Sequence, residues 1–119
     1  MAKLYFKYGA MKSGKTTEII KTYYNYIDPF KGNKKVLIIK PGDDTKAGSK
    51  IQSRSGAELN TDYVIPSDVD VYGLIAYHML NNNVDCSIVD EAQFLTPNQV
   101  DELSDVVDNF DIPVLCYGL

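Results

Sequence analysis

Gly9-Ala10-Met11-Lys12-Ser13-Gly14-Lys15-Thr16 is the stretch on which the reading of this chain turns. It spells G-x-x-x-x-G-K-[ST] between a short apolar segment, Leu4-Tyr5-Phe6, and a run of helical periodicity. That strand-before, helix-after setting is what a phosphate-binding loop requires. Gly9 and Gly14 are expected to supply backbone angles closed to other residues, so that successive N–H groups turn inward around a polyphosphate. Lys15 adds a mobile positive charge and Thr16 a hydroxyl suited to magnesium. The positive end of the helix that begins near Gly14 faces the same anion.

Outward from this loop, Lys3 to Tyr8 reads as a strand and Gly14 to about Ile27 as a helix, with Ile20, Tyr23, Tyr24 and Ile27 at helical spacing and Asp28-Pro29 as the stop. Tyr23, Tyr24 and Tyr26 read as amphipathic rings packed on a sheet. Val36-Leu37-Ile38-Ile39 has the continuous apolar character of a strand buried on both faces. Residues 41–61 turn polar and irregular and are expected to form a long loop, with Asp43-Asp44-Thr45-Lys46 and Ser53-Arg54-Ser55-Gly56 as the pieces able to reach a phosphate or a partner subunit. Tyr63-Val64-Ile65 reads as a short strand. Ser67 reads as a helix cap with Asp70 in the capping-box position, before a helix carrying Leu74, Ile75, His78 and Met79. His78 reads as an interior or boundary histidine.

The second decisive stretch is Val84-Asp85-Cys86-Ser87-Ile88-Val89, an apolar strand running into Asp90-Glu91-Ala92-Gln93-Phe94. Parallel α/β sheets collect ligands at the carboxyl ends of their strands. An acidic pair there, downstream of a phosphate loop, supplies one carboxylate for magnesium and a neighbour able to act as base. Thr96-Pro97-Asn98-Gln99 opens a further helix with a cap, a first-turn proline and a capping-box glutamine, and that helix runs through Phe110. Val114-Leu115-Cys116-Tyr117 is another buried strand. Alternating strand and helix units imply parallel strands and a three-layer α/β domain over residues 1–119, with a central parallel sheet of the P-loop NTPase, RecA-like kind.

Composition narrows the function. A chain of 119 residues, 45% hydrophobic, is long enough for one core. A formal net charge of −4 argues against a broad nucleic-acid or anionic-membrane surface, which clustered Lys and Arg would drive. No apolar run approaches the roughly 20 residues of a membrane helix, and no signal-peptide layout opens the chain, so the expected location is cytoplasmic. Cys86 and Cys116 both fall in expected strands, and with His78 alone on a helix no zinc constellation can be spelled.

With both motifs placed, the chain resembles thymidine kinases of the small, tetrameric cytosolic type over nearly its whole length. The resemblance is carried by Tyr8-Gly9-Ala10-Met11, Ile38-Ile39-Lys40-Pro41, Asp44-Thr45, Ser53-Arg54-Ser55-Gly56, Asp85 through Leu95, and Ile112 through Leu119. It implies transfer of the ATP γ-phosphoryl group to the 5′-hydroxyl of thymidine or deoxyuridine, in deoxynucleotide salvage for DNA synthesis. By the same resemblance Gly9, Ala10, Met11, Lys12, Ser13, Gly14, Lys15 and Thr16 cradle ATP with Asp90, Glu91, Ala92 and Gln93. Thr16 and Asp90 organise Mg2+, Glu91 is the general base, and Met11 and Phe94 line the nucleoside pocket. A homotetramer is implied. Asp44-Thr45-Lys46 departs from the family's Asp-Thr-Arg, replacing a bidentate fork with a point charge. Family members continue beyond the Tyr-Gly-Leu stretch with a zinc-binding segment and a loop around the base, so the fold is expected to be incomplete at its C-terminus and structural zinc to belong only to a full-length protein. Two rival readings are a nucleic-acid-dependent ATPase, since Asp90-Glu91-Ala92-Gln93 also resembles a helicase acidic box, and a non-catalytic nucleotide-binding fragment.

Overall fold

A computed structural model describes residues 1–9, 12–42, 50–52 and 56–119, the side chains of residues 12 and 13 excepted. Five parallel strands form the sheet: β1 (Leu4–Tyr8), β2 (Val36–Pro41), β5 (Tyr63–Ile65), β6 (Cys86–Val89) and β7 (Val114–Gly118), in the spatial order β1-β7-β6-β2-β5. A two-stranded antiparallel hairpin, β3 (Lys50–Gln52) with β4 (Glu58–Asn60), stands apart from it. The helices are α1 (Lys12–Ile27), α2 (Val71–His78) and α3 (Pro97–Phe110).

The continuous apolar strands divide their side chains between two cores, because successive residues of a strand point to opposite faces. Leu37, Ile39, Val89, Val114 and Cys116 pack with Val71 and Ile75 of α2 and Leu103, Val106 and Val107 of α3. Ile38, Cys86, Ile88, Leu115 and Tyr117 pack with Ile19 and Ile20 of α1 and with Ile51 and Leu59 of the hairpin. The sheet is therefore covered on both faces, which is the expected three-layer α/β arrangement. Tyr23 and Tyr26 pack against the second core as expected, whereas Tyr24 is exposed.

Local chemistry sets the helix boundaries. After α1, the Asp28 N–H still reaches the Tyr24 carbonyl at 3.2 Å, but Pro29 has no N–H to continue the ladder. α3 begins with the expected reciprocal cap. The Gln99 N–H donates to Thr96 Oγ1 and the Thr96 N–H to Gln99 Oε1, both at 3.1 Å, with Pro97 in the first turn. The buried Gln99 amide also donates to the carbonyls of Pro66 (2.9 Å) and Val69 (3.2 Å), tying the start of α3 to the segment before α2.

Three expectations need correction. The cap of α2 is Asp70 itself, whose carboxylate accepts the Gly73 N–H at 3.1 Å, while Glu102 of α3 accepts the Val71 N–H at 2.9 Å. The helix starts later than Ser67 because Val71, fully buried, must enter the core at its first turn. Val84 and Asp85 precede β6 rather than belong to it. Asp85 instead closes against Lys35, its carboxylate accepting the Lys35 N–H and its own N–H donating to the Lys35 carbonyl, each at 2.8 Å. The polar stretch 41–61 contains the β3–β4 hairpin, in which Ile51 and Leu59 are buried between exposed polar neighbours. Asp43 to Lys46 and Ser53 to Ser55 lie outside the described residues.

Candidate active site

The site is assembled where β6 ends. The Asp90 N–H donates to the Ile39 carbonyl at 3.0 Å, extending the pairing with β2 one residue past the strand. Had the strand continued, Asp90 and Glu91 would point to opposite faces. Glu91 instead adopts the left-handed conformation (φ 55°, ψ 42°), and its N–H turns back to Asp90 Oδ1 at 2.8 Å. A non-glycine residue held there costs about 1–2 kcal/mol, which the surrounding contacts must offset. The result is that two consecutive carboxylates face one cation.

That cation is Lys15, in the first turns of α1. Its ammonium lies 3.0 Å from Asp90 Oδ1 and 2.6 Å from Glu91 Oε1. Lys15, Thr16 and Asp90 are all buried, so the charges meet away from bulk water. Burial alone would pull the Lys15 ammonium below the ordinary lysine value; the hydrogen bonds to Glu91 and Asp90, with their charges, outweigh it and hold it above. Lys15 is thus a cation at neutral pH. The expected convergence of the glycine loop and the acidic pair is what the chain adopts, although β1 and β6 are not neighbours and β7 lies between them.

β7 also frames the site. The Gly9 N–H donates to the Gly118 carbonyl at 3.1 Å, carrying the β1–β7 pairing onto the first residue of the loop. Neither Gly9 nor Gly14 has a positive φ, so the expected backbone angles closed to other residues are not what these two glycines supply. At both, the place a Cβ would occupy faces open space beyond the neighbouring residues. Beside them opens a cavity of about 370 Å³ lined by Lys7, Tyr8, Gly9, Gly14, Lys15, Glu18 and Tyr117. Ala10 and Met11 lie outside the described residues, as do the side chains of Lys12 and Ser13.

Ala92 to Phe94 form a single 3-10 turn after the acidic pair. Ala92 is buried beneath it, and Phe94 projects 65% exposed at its end. The Gln93 amide donates to Glu91 Oε2 at 2.8 Å and accepts the Leu119 N–H at 3.2 Å. Sequence reasoning placed Gln93 in the nucleotide string and missed this bridge, as well as the part of Gly118 and Leu119 in it. No local signal in a Tyr-Gly-Leu stretch announces that its backbone meets a side chain 26 positions upstream.

The donor set suits a magnesium-bound triphosphate. A hydroxyl and a carboxylate are hard oxygen ligands, and magnesium held through substrate phosphates and water needs only one or two of them. Among the described side chains two carboxylates face one ammonium, a balance that a divalent cation entering with the anion would offset. Among the described residues no group of three or more His, Cys, Asp or Glu side chains is placed to hold a metal by itself. Among the same residues no helix is long and apolar enough to cross a membrane.

A family profile described as thymidine kinase matches residues 2–119. Over its full length the chain is 45% identical to a thymidine kinase of Rhodopirellula baltica, covering 55% of that protein. It is 41% identical to one of Haemophilus influenzae, covering 60%, and 40% identical to one of Francisella tularensis, covering 59%. The chain therefore spans somewhat more than half the length of these relatives.

Proposed function

The chain belongs to the thymidine kinase family, and we propose from this premise that it carries the nucleotide site of an ATP-dependent kinase acting on the 5′-hydroxyl of thymidine or deoxyuridine. The observation that supports this most directly is the meeting of Lys15 with Asp90 and Glu91 at 3.0 and 2.6 Å, from sequence positions 75 and 76 residues apart.

Phosphoryl transfer needs positioning and charge neutralisation more than covalent help. The backbone from Gly9 to Thr16 receives the ATP phosphates, and Lys15 neutralises charge on the group in transit. Thr16 and Asp90 would hold Mg2+, which would supply charge withdrawal from the phosphate oxygens. Glu91 accepts the proton of the 5′-hydroxyl as its oxygen bonds to phosphorus, while the bond to the leaving ADP oxygen breaks. By the family resemblance Met11 and Phe94 line the nucleoside pocket, the Phe94 ring being exposed, and Ala92 and Gln93 complete the acidic turn. The family resemblance further supports a homotetramer acting in the cytoplasm, with structural zinc only in a longer protein.

The test is formation of thymidine monophosphate from thymidine and Mg–ATP. Lys15→Ala is expected to weaken nucleotide binding and to lower turnover by roughly 10²-fold or more, the usual scale for removing one charge-stabilising donor. ATP hydrolysis stimulated by single-stranded nucleic acid, with no phosphorylated nucleoside, would overturn the proposal.

A further inference from the structure

We propose that Gln93 is a positioning residue, which holds Glu91 by one carboxylate oxygen so that the other faces the incoming hydroxyl, and that Gly118 and Leu119 form the seat that aims it. This rests on the kinase reading above and adds to it a brace outside the phosphate loop.

The two oxygens of Glu91 have different partners. Oε1 meets Lys15 Nζ at 2.6 Å, and Oε2 accepts from the Gln93 amide nitrogen at 2.8 Å. The far end of the Gln93 amide is fixed too, because its Oε1 accepts the Leu119 N–H at 3.2 Å. A primary amide has an accepting end and a donating end. Turned over, it would set its NH2 against the Leu119 N–H and its oxygen against the Glu91 carboxylate, and both contacts would be repulsive. Leu119 therefore dictates that Gln93 presents N–H to Glu91.

Gly118 makes the seat possible. A Cβ there would lie 2.8 Å from Gln93 Oε1 and 2.8 Å from a ring carbon of Tyr8, closer than real contacts allow. Every residue of β7 up to Gly118 is buried, while Leu119, whose N–H meets Gln93, follows the strand and is half exposed.

The brace matters when nucleotide arrives. A lysine ammonium has three protons to donate, so Lys15 can turn toward the phosphates by any amount, and through that movement Gln93 holds Glu91 Oε2. With Oε2 held by Gln93, Oε1 stays on the side of the carboxylate that faces Lys15. Lys15 and Gln93 thus fix the two oxygens of Glu91 separately, the first at Oε1 and the second at Oε2.

The experiment follows the Gln93 side-chain amide by 15N NMR in this chain, free and saturated with Mg–adenosine 5′-(β,γ-imido)triphosphate. It is paired with kinetics of thymidine phosphorylation by the same protein. The expected signature is a widely split, slowly exchanging pair of Gln93 amide protons in both states, while the Lys15 side-chain resonances shift on nucleotide addition. Gly118→Ala is expected to collapse the splitting and to lower kcat on the order of 10- to 100-fold, the scale of an ångström-sized misplacement, with nucleotide affinity changed less than twofold. Because the added methyl also meets Tyr8, Gln93→Met serves as the second variant, filling similar volume without the amide and giving the same loss in kcat. A Gln93 pair that relaxes to exposed values when nucleotide binds, or a Gln93→Met variant that loses nucleotide affinity with kcat intact, would overturn the brace and leave the kinase reading standing. No phosphorylated nucleoside from a wild-type protein that binds nucleotide would overturn the kinase reading and with it the role given to Gln93, even where its amide signature persists.

Discussion

Strands β7 and β1 lie side by side, paired from Leu4↔Val114 to Tyr8↔Gly118, yet one is buried at every residue and the other is exposed at all but its first. Position explains the contrast. β7 has β1 on one side and β6 on the other, with helices over both faces, whereas β1 is the edge of the sheet. Tyr5, Phe6 and Tyr8 keep much of their ring surface in solvent, and Phe6 and Tyr8 stack on each other with centroids 6.0 Å apart. The two halves of the candidate site divide along this line. The acidic pair and the seat of Gln93 grow from the buried centre, and the phosphate loop leaves from the edge. On the proposed reading, groups that must hold a fixed direction, Glu91 and Gln93, stand next to buried strands, while the loop proposed to receive the phosphates leaves the edge strand beside a cavity.

The strongest way to break this comparison acts on the central arm. Glu91→Gln keeps size and shape and leaves Lys15 paired with Asp90 at 3.0 Å. Thymidine phosphorylation is expected to fall by about 10²- to 10⁴-fold, the range for removing a positioned base, with Mg–ATP affinity retained. A steady-state rate near wild type would show that the carboxylate fixed by the centre does not serve as base, and the division of labour between centre and edge would lose its chemical meaning.

Next in size is stability. Ile88 of β6 is fully buried and packs in the core beneath α1. Ile88→Ala is expected to cost about 2–5 kcal/mol, from lost transfer energy plus the cavity left behind. Phe6→Ala removes a larger side chain from the edge, but one 39% exposed, and is expected to cost less than the Ile88 change, about 1 kcal/mol. Urea unfolding of both variants reads the difference. Equal losses would mean that the edge is packed as tightly as the centre.

How much of this was legible in the sequence follows the same physics. The glycine loop and the Asp90-Glu91 pair are local patterns whose meaning comes from the strands beside them, so the convergence on Lys15 could be read in advance. The division of β2 between two cores was foreseeable because an unbroken apolar run such as Val36-Leu37-Ile38-Ile39 has no polar face to turn to water. The hairpin was not, because its strands are three residues each and show only one apolar residue apiece, Ile51 and Leu59, among polar neighbours. The shifted cap at Asp70 was decided by Val71 and Glu102, a tertiary contact that no Ser-x-x-Asp spacing contains. The left-handed turn at Glu91 was also hidden, since nothing in Val-Asp-Glu-Ala states that the backbone reverses there to aim both carboxylates at one lysine.

The smallest expected effect tests the burial of the centre through its thiols. Cys116 lies in β7 and Cys86 in β6, and burial lifts both from 9.0 to about 12, with the Tyr26 hydrogen bond opposing it and the Asp85 charge reinforcing it at Cys86. In the folded chain each thiol keeps its proton up to about pH 12, whereas in the unfolded chain it loses it near 9. The unfolded state therefore binds fewer protons above that pH, and stability falls as pH rises, with no contribution from these groups below it. Each thiol contributes at most about 1.4 kcal/mol per pH unit to that fall. Cys116→Ala also leaves a small cavity, but that loss is the same at every pH and shifts the curve without tilting it. Urea unfolding in steps from pH 8 to pH 11 is then expected to show a shallower alkaline decline in the variant than in wild type. An unchanged slope would mean that Cys116 is reached by hydroxide in the native state, and that the centre of the sheet opens as readily as its edge.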